Sequence, residues 1–172
     1  MTLIRRIDAS DWARLLPLLT DRWGAPYIVK HHTRFDLDGL PGLLATTRDG
    51  GLLGLLTWTD GADGEAELLT LDALTRRQGT GGTLLDAYLD RARPAGVRRV
   101  RVTVTNDQLT GLKLLQRRGF RIEAVRRGAV DAARAVKPQI PEVGEDGISL
   151  HDELDLCLGL AGADPTAGGG LR

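Results

Sequence analysis

Leu68-Leu69-Thr70-Leu71-Asp72-Ala73-Leu74 runs into Thr75-Arg76-Arg77-Gln78-Gly79-Thr80-Gly81-Gly82 and on into Thr83-Leu84-Leu85-Asp86-Ala87-Tyr88-Leu89. The three pieces read as a short apolar strand, a basic glycine-rich turn and an amphipathic helix. Glycine fills three of the four positions from Gly79 to Gly82, where it lets a ligand approach the main chain closely. The turn opens directly into a helix, whose first N–H groups lack internal partners and carry partial positive charge. Arg76 and Arg77 add full charges at the rim. Strand, turn and helix N-terminus together form an anion cradle suited to a pyrophosphate. A nucleoside-triphosphate loop would need Gly-Lys-Ser/Thr, and no lysine lies here. A dinucleotide fingerprint needs a third glycine at a spacing that Gly79-Thr80-Gly81 does not supply, which sets a nucleotide-dependent oxidoreductase aside.

The rest of the chain suits one domain. Its 172 residues can bury an adequate core, and 42% hydrophobic with 27% charged residues is ordinary for a globular protein. Lys+Arg and Asp+Glu both number 23, so the net charge is zero, which argues against bulk binding to nucleic acid or an anionic membrane. A single cysteine, Cys157, excludes a disulfide framework and a cysteine-based zinc site. No apolar run approaches the roughly 18 residues of a membrane span, and the first residues do not resemble a secretory signal. A cytoplasmic enzyme or binding protein is expected.

Before the glycine turn the pattern predicts a strand at residues 3–7 and a helix capped by Asp8 or Ser10. Trp12, Leu15, Leu16 and Leu19 give that helix an apolar stripe, with a kink or break at Pro17. Trp23 and Tyr27 lie in a turn-rich segment that reads as a surface loop with anchoring rings or as a wall of a substrate pocket. The adjacent His31 and His32 face apart and read as solvated loop rather than metal ligands. Strands follow at 42–47, 52–59 and 65–74, the first two joined by Asp49-Gly50, a hairpin signal. After the turn, a helix runs to about residue 93, stopped by Pro94 and Gly96. A strand at 97–105 puts Val100, Val102 and Val104 on one face. A helix at 109–118, a strand at 120–125, a helical stretch at 128–137 and a last strand complete the chain. In that last strand Leu154, Leu156 and Leu158 share an apolar phase with Ile148 and Leu150, interrupted by Asp152, while Cys157 falls on the other phase. The glycine-rich residues 161–172 have no apolar period and read as a disordered tail, bounding a domain at 1–160.

Arg76-x-x-Gly79-x-Gly81 resembles the pyrophosphate loop of the GCN5-related N-acetyltransferases, and Leu112-Lys113-Leu114-Leu115-Gln116-Arg117-Arg118-Gly119-Phe120 is similar to that family's fourth helix. Further marks resemble a bacterial subgroup: Leu40-Pro41-Gly42, Thr105-Asn106-Asp107, Gln116-Arg117-Arg118-Gly119-Phe120, Gly128-Ala129-Val130-Asp131, Lys137-Pro138-x-Ile140-Pro141, and Asp146-Gly147-Ile148 leading to Asp152-Glu153. The resemblance spans about residues 3–160. It implies a mixed α/β fold, a twisted sheet of about seven strands flanked by helices, with two adjacent strands splayed to admit a pantetheine arm.

The same resemblance implies acetyl-CoA as donor and direct attack by a primary amine, on a small molecule or a protein, in a ternary complex. Main-chain contacts to pantetheine would come from Leu71, Asp72 and Ala73, with the phosphates held at Arg76, Arg77, Gln78, Gly79, Thr80, Gly81, Gly82 and Thr83. Glu67 takes the place of a general base, against the plain alternative of an outward, solvated glutamate. Asn106 resembles a pantetheine-binding side chain and serves equally well as a helix cap. Leu115 stands where the family commonly has a tyrosine that protonates the leaving thiolate, which favours a second reading, a catalytically weak acyl-CoA-binding module. Asp152 reads as locally hydrogen-bonded or as aimed at a cationic amine, with the local role favoured. Homodimers are common in the family, and nothing in the sequence marks a face for one.

Overall fold

The computed structural model describes residues 2–31, 33–74 and 78–160. Strand β1 (Leu3–Arg6) leads into helix α1 (Trp12–Trp23), and a small hairpin follows, β2 (Tyr27–Lys30) and β3 (Thr33–Asp36). Strands β4 (Gly42–Thr46), β5 (Leu52–Asp60) and β6 (Glu65–Ala73) form an antiparallel meander ahead of helix α2 (Thr80–Ala92). Strand β7 (Arg99–Thr105), helix α3 (Leu109–Arg117), strand β8 (Arg121–Arg126), helix α4 (Ala129–Arg134) and strand β9 (Glu153–Gly159) complete the order. Seven strands make one mixed sheet, β1-β4-β5-β6-β7-β9-β8, in which β6 and β7 are the parallel pair.

Strand phase divides the core between the two faces. Leu43, Leu56, Leu68, Val100, Val102 and Leu156 pack with Leu84, Leu85 and Leu89 of α2 and Leu115 of α3. On the opposite face, Leu44 and Leu55 meet Trp12, Leu15 and Leu19 of α1. Val100, Val102 and Val104 lie opposite Leu158, Leu156 and Leu154 across the β7–β9 ladder, so the apolar phases of the two strands coincide.

Several local expectations are corrected. Helix α1 runs through Pro17 without a break. Pro17 removes one N–H, and the carbonyl it would have served belongs to Ala13, itself on the exposed side where water can take its place. Neither Asp8 nor Ser10 caps α1. Asp8 Oδ1 closes the preceding turn by accepting from the Ser10 amide at 2.9 Å, and Asp11 stands at the N-cap. The last strand begins at Glu153 rather than at residue 148. The hairpin β2–β3 was not expected, and it makes a strand of the segment that begins at Tyr27. Its ring lies under Arg34, whose guanidinium carbon is 4.0 Å from the ring centroid, a structural cation–π contact. No helix among the described residues is long and apolar enough to cross a membrane. Arg76, Arg77, His32 and the tail at 161–172 lie outside the described residues.

Candidate active site

Strand β6 stays paired with β5 along its whole length, to Ala73 opposite Gly54. Toward β7 its pairing runs only from Glu65 opposite Arg99 to Leu68 opposite Val102. Beyond that pair the two parallel strands part. Residues 69–73 and Thr103–Thr105 then face a gap with main-chain groups outside any mutual ladder, and buried amides and carbonyls so placed call for a partner.

The glycine turn lies at the end of this gap. Gly79 has φ 75°, the left-handed conformation that glycine adopts without penalty, and α2 starts at the next residue. No described side chain caps the helix. The Thr83 amide and hydroxyl both donate to the Gly79 carbonyl, at 3.0 and 3.2 Å. Thr83 therefore closes the turn, and the N–H groups of Thr80, Gly81 and Gly82 remain as the first-turn donors. The helix end is seated by Gly54 of β5, where a Cβ would stand 2.6 Å from the Asp72 carbonyl oxygen and 3.0 Å from Cγ2 of the buried Thr80. Asp72 is tied through its side chain to Arg22 of α1, by hydrogen bonds of 2.9 and 3.0 Å, which anchors the end of β6 to the first helix.

One cation at this end was not singled out as a site residue in the sequence. A Cβ on Gly82 would lie 3.0 Å from Nη2 of Arg118. Two hydrogen bonds to Asp86, of 3.0 and 2.9 Å, fix this guanidinium beside the first turn of α2. The subgroup mark Gln116-Arg117-Arg118 contained the signal, because α3 follows β7 and returns its C-terminal end to α2.

The other end of the gap, on the α1 face, is polar. Thr103 and Thr105 of β7 lie opposite Asp155 and Glu153 of β9, and the β2–β3 hairpin brings Lys30 and His31 over them. The buried Lys30 Nζ is 2.7 Å from Glu67 Oε1 and donates to the Leu68 carbonyl at 3.2 Å. Glu67 is thus neither an outward, solvated glutamate nor a free carboxylate, since it carries the ammonium of Lys30. Asp155 accepts from Thr103 Oγ1 at 2.8 Å and Arg126 Nε at 2.5 Å, and its Oδ1 lies 2.9 Å from His31 Nε2. Burial pushes the Asp155 carboxyl up, but these hydrogen bonds outweigh it and hold the group below the usual carboxylate range. His31 is accordingly a bound, half-buried side chain rather than solvated loop.

Glu153 is 4% exposed and its Oε2 has no hydrogen-bond partner. His31 Nε2 approaches that oxygen only to 3.6 Å. Burial pushes the Glu153 carboxyl up, against the opposing pull of His31 and Lys30. A cavity of about 130 Å³ lies here, bordered by Lys30, Leu69, Thr103, Thr105, Gln108 and Glu153. Among the described residues no group of His, Cys, Asp and Glu side chains could hold a metal ion.

Asn106 follows β7 and does not cap α3, whose N-cap position is Gln108. Its Nδ2 donates to the Ser149 carbonyl at 2.8 Å, and its Oδ1 accepts from the amides of His151 and Asp152 at 3.0 and 3.1 Å. One Nδ2 N–H remains for a ligand. Asp152 takes the local role, with Oδ1 accepting from the Gly128 amide at 2.8 Å ahead of α4. Leu115 is 1% exposed within the core and supplies no proton. Cys157 is buried on the phase opposite the leucines.

Comparison with known proteins agrees with this architecture. Residues 12–120 match the model of the acetyltransferase (GNAT) family. Two uncharacterized proteins of Bacillus subtilis (strain 168) are similar: YdhI, 36% identical over 80% of this chain and 88% of its own, and YxbD, 30% identical over 77% and 82%. Among solved structures, an IAA acetyltransferase from Bacillus cereus ATCC 14579 superposes with a TM-score of 0.73 at 21% identity, over 93% of this chain and 100% of its own. A Bacillus subtilis acetyltransferase in complex with CoA gives 0.66 at 18% identity, over 93% and 99%. The chain belongs to the acetyltransferase (GNAT) family and is, as a member, an N-acetyltransferase.

Proposed function

We infer that the protein moves an acetyl group from acetyl-CoA to a primary amine of a small molecule or a protein, by direct attack in a ternary complex. The observation that carries this reading is the parting of β6 and β7 beyond Leu68 and Val102, in line with the N-terminus of α2, which no described side chain caps. Acetyl-CoA bound there would supply an acyl thioester reactive toward a neutral amine. The main chain of Leu71, Asp72 and Ala73 would take the pantetheine amides as a strand takes a neighbour. The phosphates would sit on the amides of Gln78, Gly79, Thr80, Gly81 and Gly82, with Arg76, Arg77 and Arg118 at the rim. Asn106 retains one donor toward the arm. The chain's remaining tasks are to receive the ammonium form of the acceptor, hold the proton it must lose, and keep water from the thioester. A reaction in the cytoplasm accords with Cys157 as a free thiol.

Calorimetric titration with acetyl-CoA, CoA and NAD, repeated on Gly81→Glu, tests the reading. A Cβ at Gly81 meets nothing closer than Leu114 Cδ2 at 3.5 Å, so a side chain can start there without a clash, and a carboxylate at the first turn of α2 opposes a phosphate. Acetyl-CoA binding weakened by about 30-fold or more, roughly 2 kcal/mol, is expected. A folded wild type that binds no CoA sinks the proposal. The buried Leu115, without a proton to give, favours one other outcome. In it acetyl-CoA binds but no amine releases CoA, and the protein is an acyl-CoA-binding module.

A further inference from the structure

The last strand holds a carboxylate that the reading above leaves without work. We propose that Glu153, on β9 at the floor of the cavity beside the β6–β7 gap, receives the ammonium group of the acceptor and takes the proton it must lose. The inference rests on the acetyl-transfer reading. Three observations carry it: the side chain is 4% exposed, Oε2 has no hydrogen-bond partner, and the residue borders the cavity at the gap. A buried acceptor oxygen without a donor is costly, and such an atom in a native fold calls for an explanation. A ligand N–H supplies one.

The neighbouring charges show why this oxygen is the one available. Lys30, on β2, spends its ammonium on Glu67 at 2.7 Å and on the Leu68 carbonyl. His31, on the hairpin turn, directs Nε2 to Asp155 at 2.9 Å, nearer than its 3.6 Å approach to Glu153. Arg126, the β8 partner of Glu153 in the ladder, turns its Nε to Asp155 at 2.5 Å. Two cations and the His31 imidazole therefore surround Glu153, and each gives its short contact to another carboxylate. The pocket is not acidic enough to trap a polycation, yet it keeps one oxygen for a single ammonium head. The cavity, about 130 Å³ with Leu69 and Thr103 in its wall, is large enough to admit the head of a primary amine.

The proton balance is simple. The ammonium R–NH3+ gives one proton to the Glu153 carboxylate, leaving neutral R–NH2 and a carboxylic acid. That acid later returns the proton to solvent. A carboxylate whose charged form is disfavoured by burial is a stronger base than an exposed one, so the transfer is less uphill than it would be in water.

The test uses the full-length protein, Glu153→Gln and, as a control far from the gap, Glu123→Gln on the exposed strand β8. Acetyl-CoA affinity is measured by calorimetry, and CoA release with n-butylamine and a panel of other primary amines is followed against pH. Glu153→Gln should bind acetyl-CoA within about twofold of wild type and lose about 100-fold or more in kcat/KM for amines. It should also lose the acid limb of the pH profile, which in wild type lies above the ordinary carboxylate range. Because an amide has no buried charge to leave unpaired, the variant should melt a few degrees higher than wild type at neutral pH. A merely structural glutamate would show the opposite stability change. In parallel, n-butylammonium added with CoA should raise the melting temperature of wild type and not of Glu153→Gln. Wild-type turnover retained within threefold in Glu153→Gln, or an unchanged acid limb, overturns the assignment while leaving acetyl transfer standing. If no amine turns over, absence of a wild-type melting shift with n-butylammonium overturns it too. Failure to bind acetyl-CoA at all is the separate failure of the parent reading.

Discussion

Replacing Glu67 should unfold the protein more readily than replacing Lys30, because the two substitutions leave different orphans. The pair lies 2.7 Å apart, with the Lys30 side chain 7% exposed and that of Glu67 29% exposed. Glu67→Gln strands a buried ammonium whose other hydrogen bond is to the Leu68 carbonyl. Breaking a buried pair from one side costs roughly 3–5 kcal/mol, and the partial exposure of Glu67 brings the expected loss to about 2–3 kcal/mol. For a chain of this size each kcal/mol is worth about 2–4 °C, so the melting temperature should fall by about 4–12 °C. Lys30→Met leaves the more exposed carboxylate, which water can reach, and fills the vacated space with an apolar stem. Its cost should stay under about 1 kcal/mol. The double variant should recover most of the loss, giving a coupling of about 2 kcal/mol in a thermal or denaturant cycle. The cycle also decides what Glu67 does in turnover. If it only anchors Lys30 and the hairpin, activity should follow stability and return in the double variant. If Glu67 is itself the proton acceptor, Lys30→Met stays active and the double variant is as dead as Glu67→Gln. Equal destabilisation by the two single changes, with a coupling under about 0.5 kcal/mol, would refute the argument from burial.

Two other outcomes follow from named contacts. Gly54→Ala places a Cβ 2.6 Å from the Asp72 carbonyl oxygen and against Thr80. It should cost about 1–3 kcal/mol in stability, seen by thermal melting. It should also weaken acetyl-CoA binding by about tenfold, seen by calorimetry, because the first turn of α2 must lift. Unchanged affinity would show that Gly54 does not seat the cradle. The hydrogen bonds from Arg5, both 2.6 Å, hold the Asp11 carboxyl down to about 2. Its folded value lies below its unfolded one, so the stabilisation is complete above the ordinary carboxylate range and is lost as pH falls toward 2. At neutral pH this is at most about 2 kcal/mol, since Arg5 is half exposed. Asp11→Asn should therefore lower the melting temperature at pH 7 and change it little near pH 2.

The parts of the fold that were legible are those whose signal is local. Alternation in β7 and β9, the Asp49-Gly50 hairpin and the glycine turn into α2 each carry their geometry within about ten residues. The hairpin β2–β3 does not. Tyr27-Ile28-Val29-Lys30 is a four-residue strand with no alternation, and its turn at His31 has φ 46°, a conformation that histidine does not announce. What fixes the hairpin is tertiary: Lys30 to Glu67, His31 to Asp155, and the Tyr27 carbonyl accepting from Lys137 at 3.0 Å. These partners are separated by 37, 124 and 110 positions, and no periodicity records them. Without the hairpin, the sequence gives no sign of the ammonium that pairs with Glu67.

The acid on the last strand carries no role in the sequence for a different reason. Asp152 stands out in the sequence because it interrupts an apolar phase, yet the strand begins only at Glu153, and Asp152 precedes it, bonded to the Gly128 amide. The informative residues are the acids on the other phase, Glu153 and Asp155, facing Thr105 and Thr103 across the ladder. Their environments separate them. Asp155 gathers hydrogen bonds from Thr103 and Arg126 and meets His31, while Glu153, two residues away on the same face, is left with a bare oxygen. Neighbouring carboxyls driven in opposite directions by burial and hydrogen bonding are the arrangement in which one remains an anion and the other exchanges a proton. Glu67 and Asp155 are each satisfied by a cation of this chain. Of the three acids on this face of the gap, Glu153 is the one with a buried oxygen that no hydrogen bond of this chain reaches.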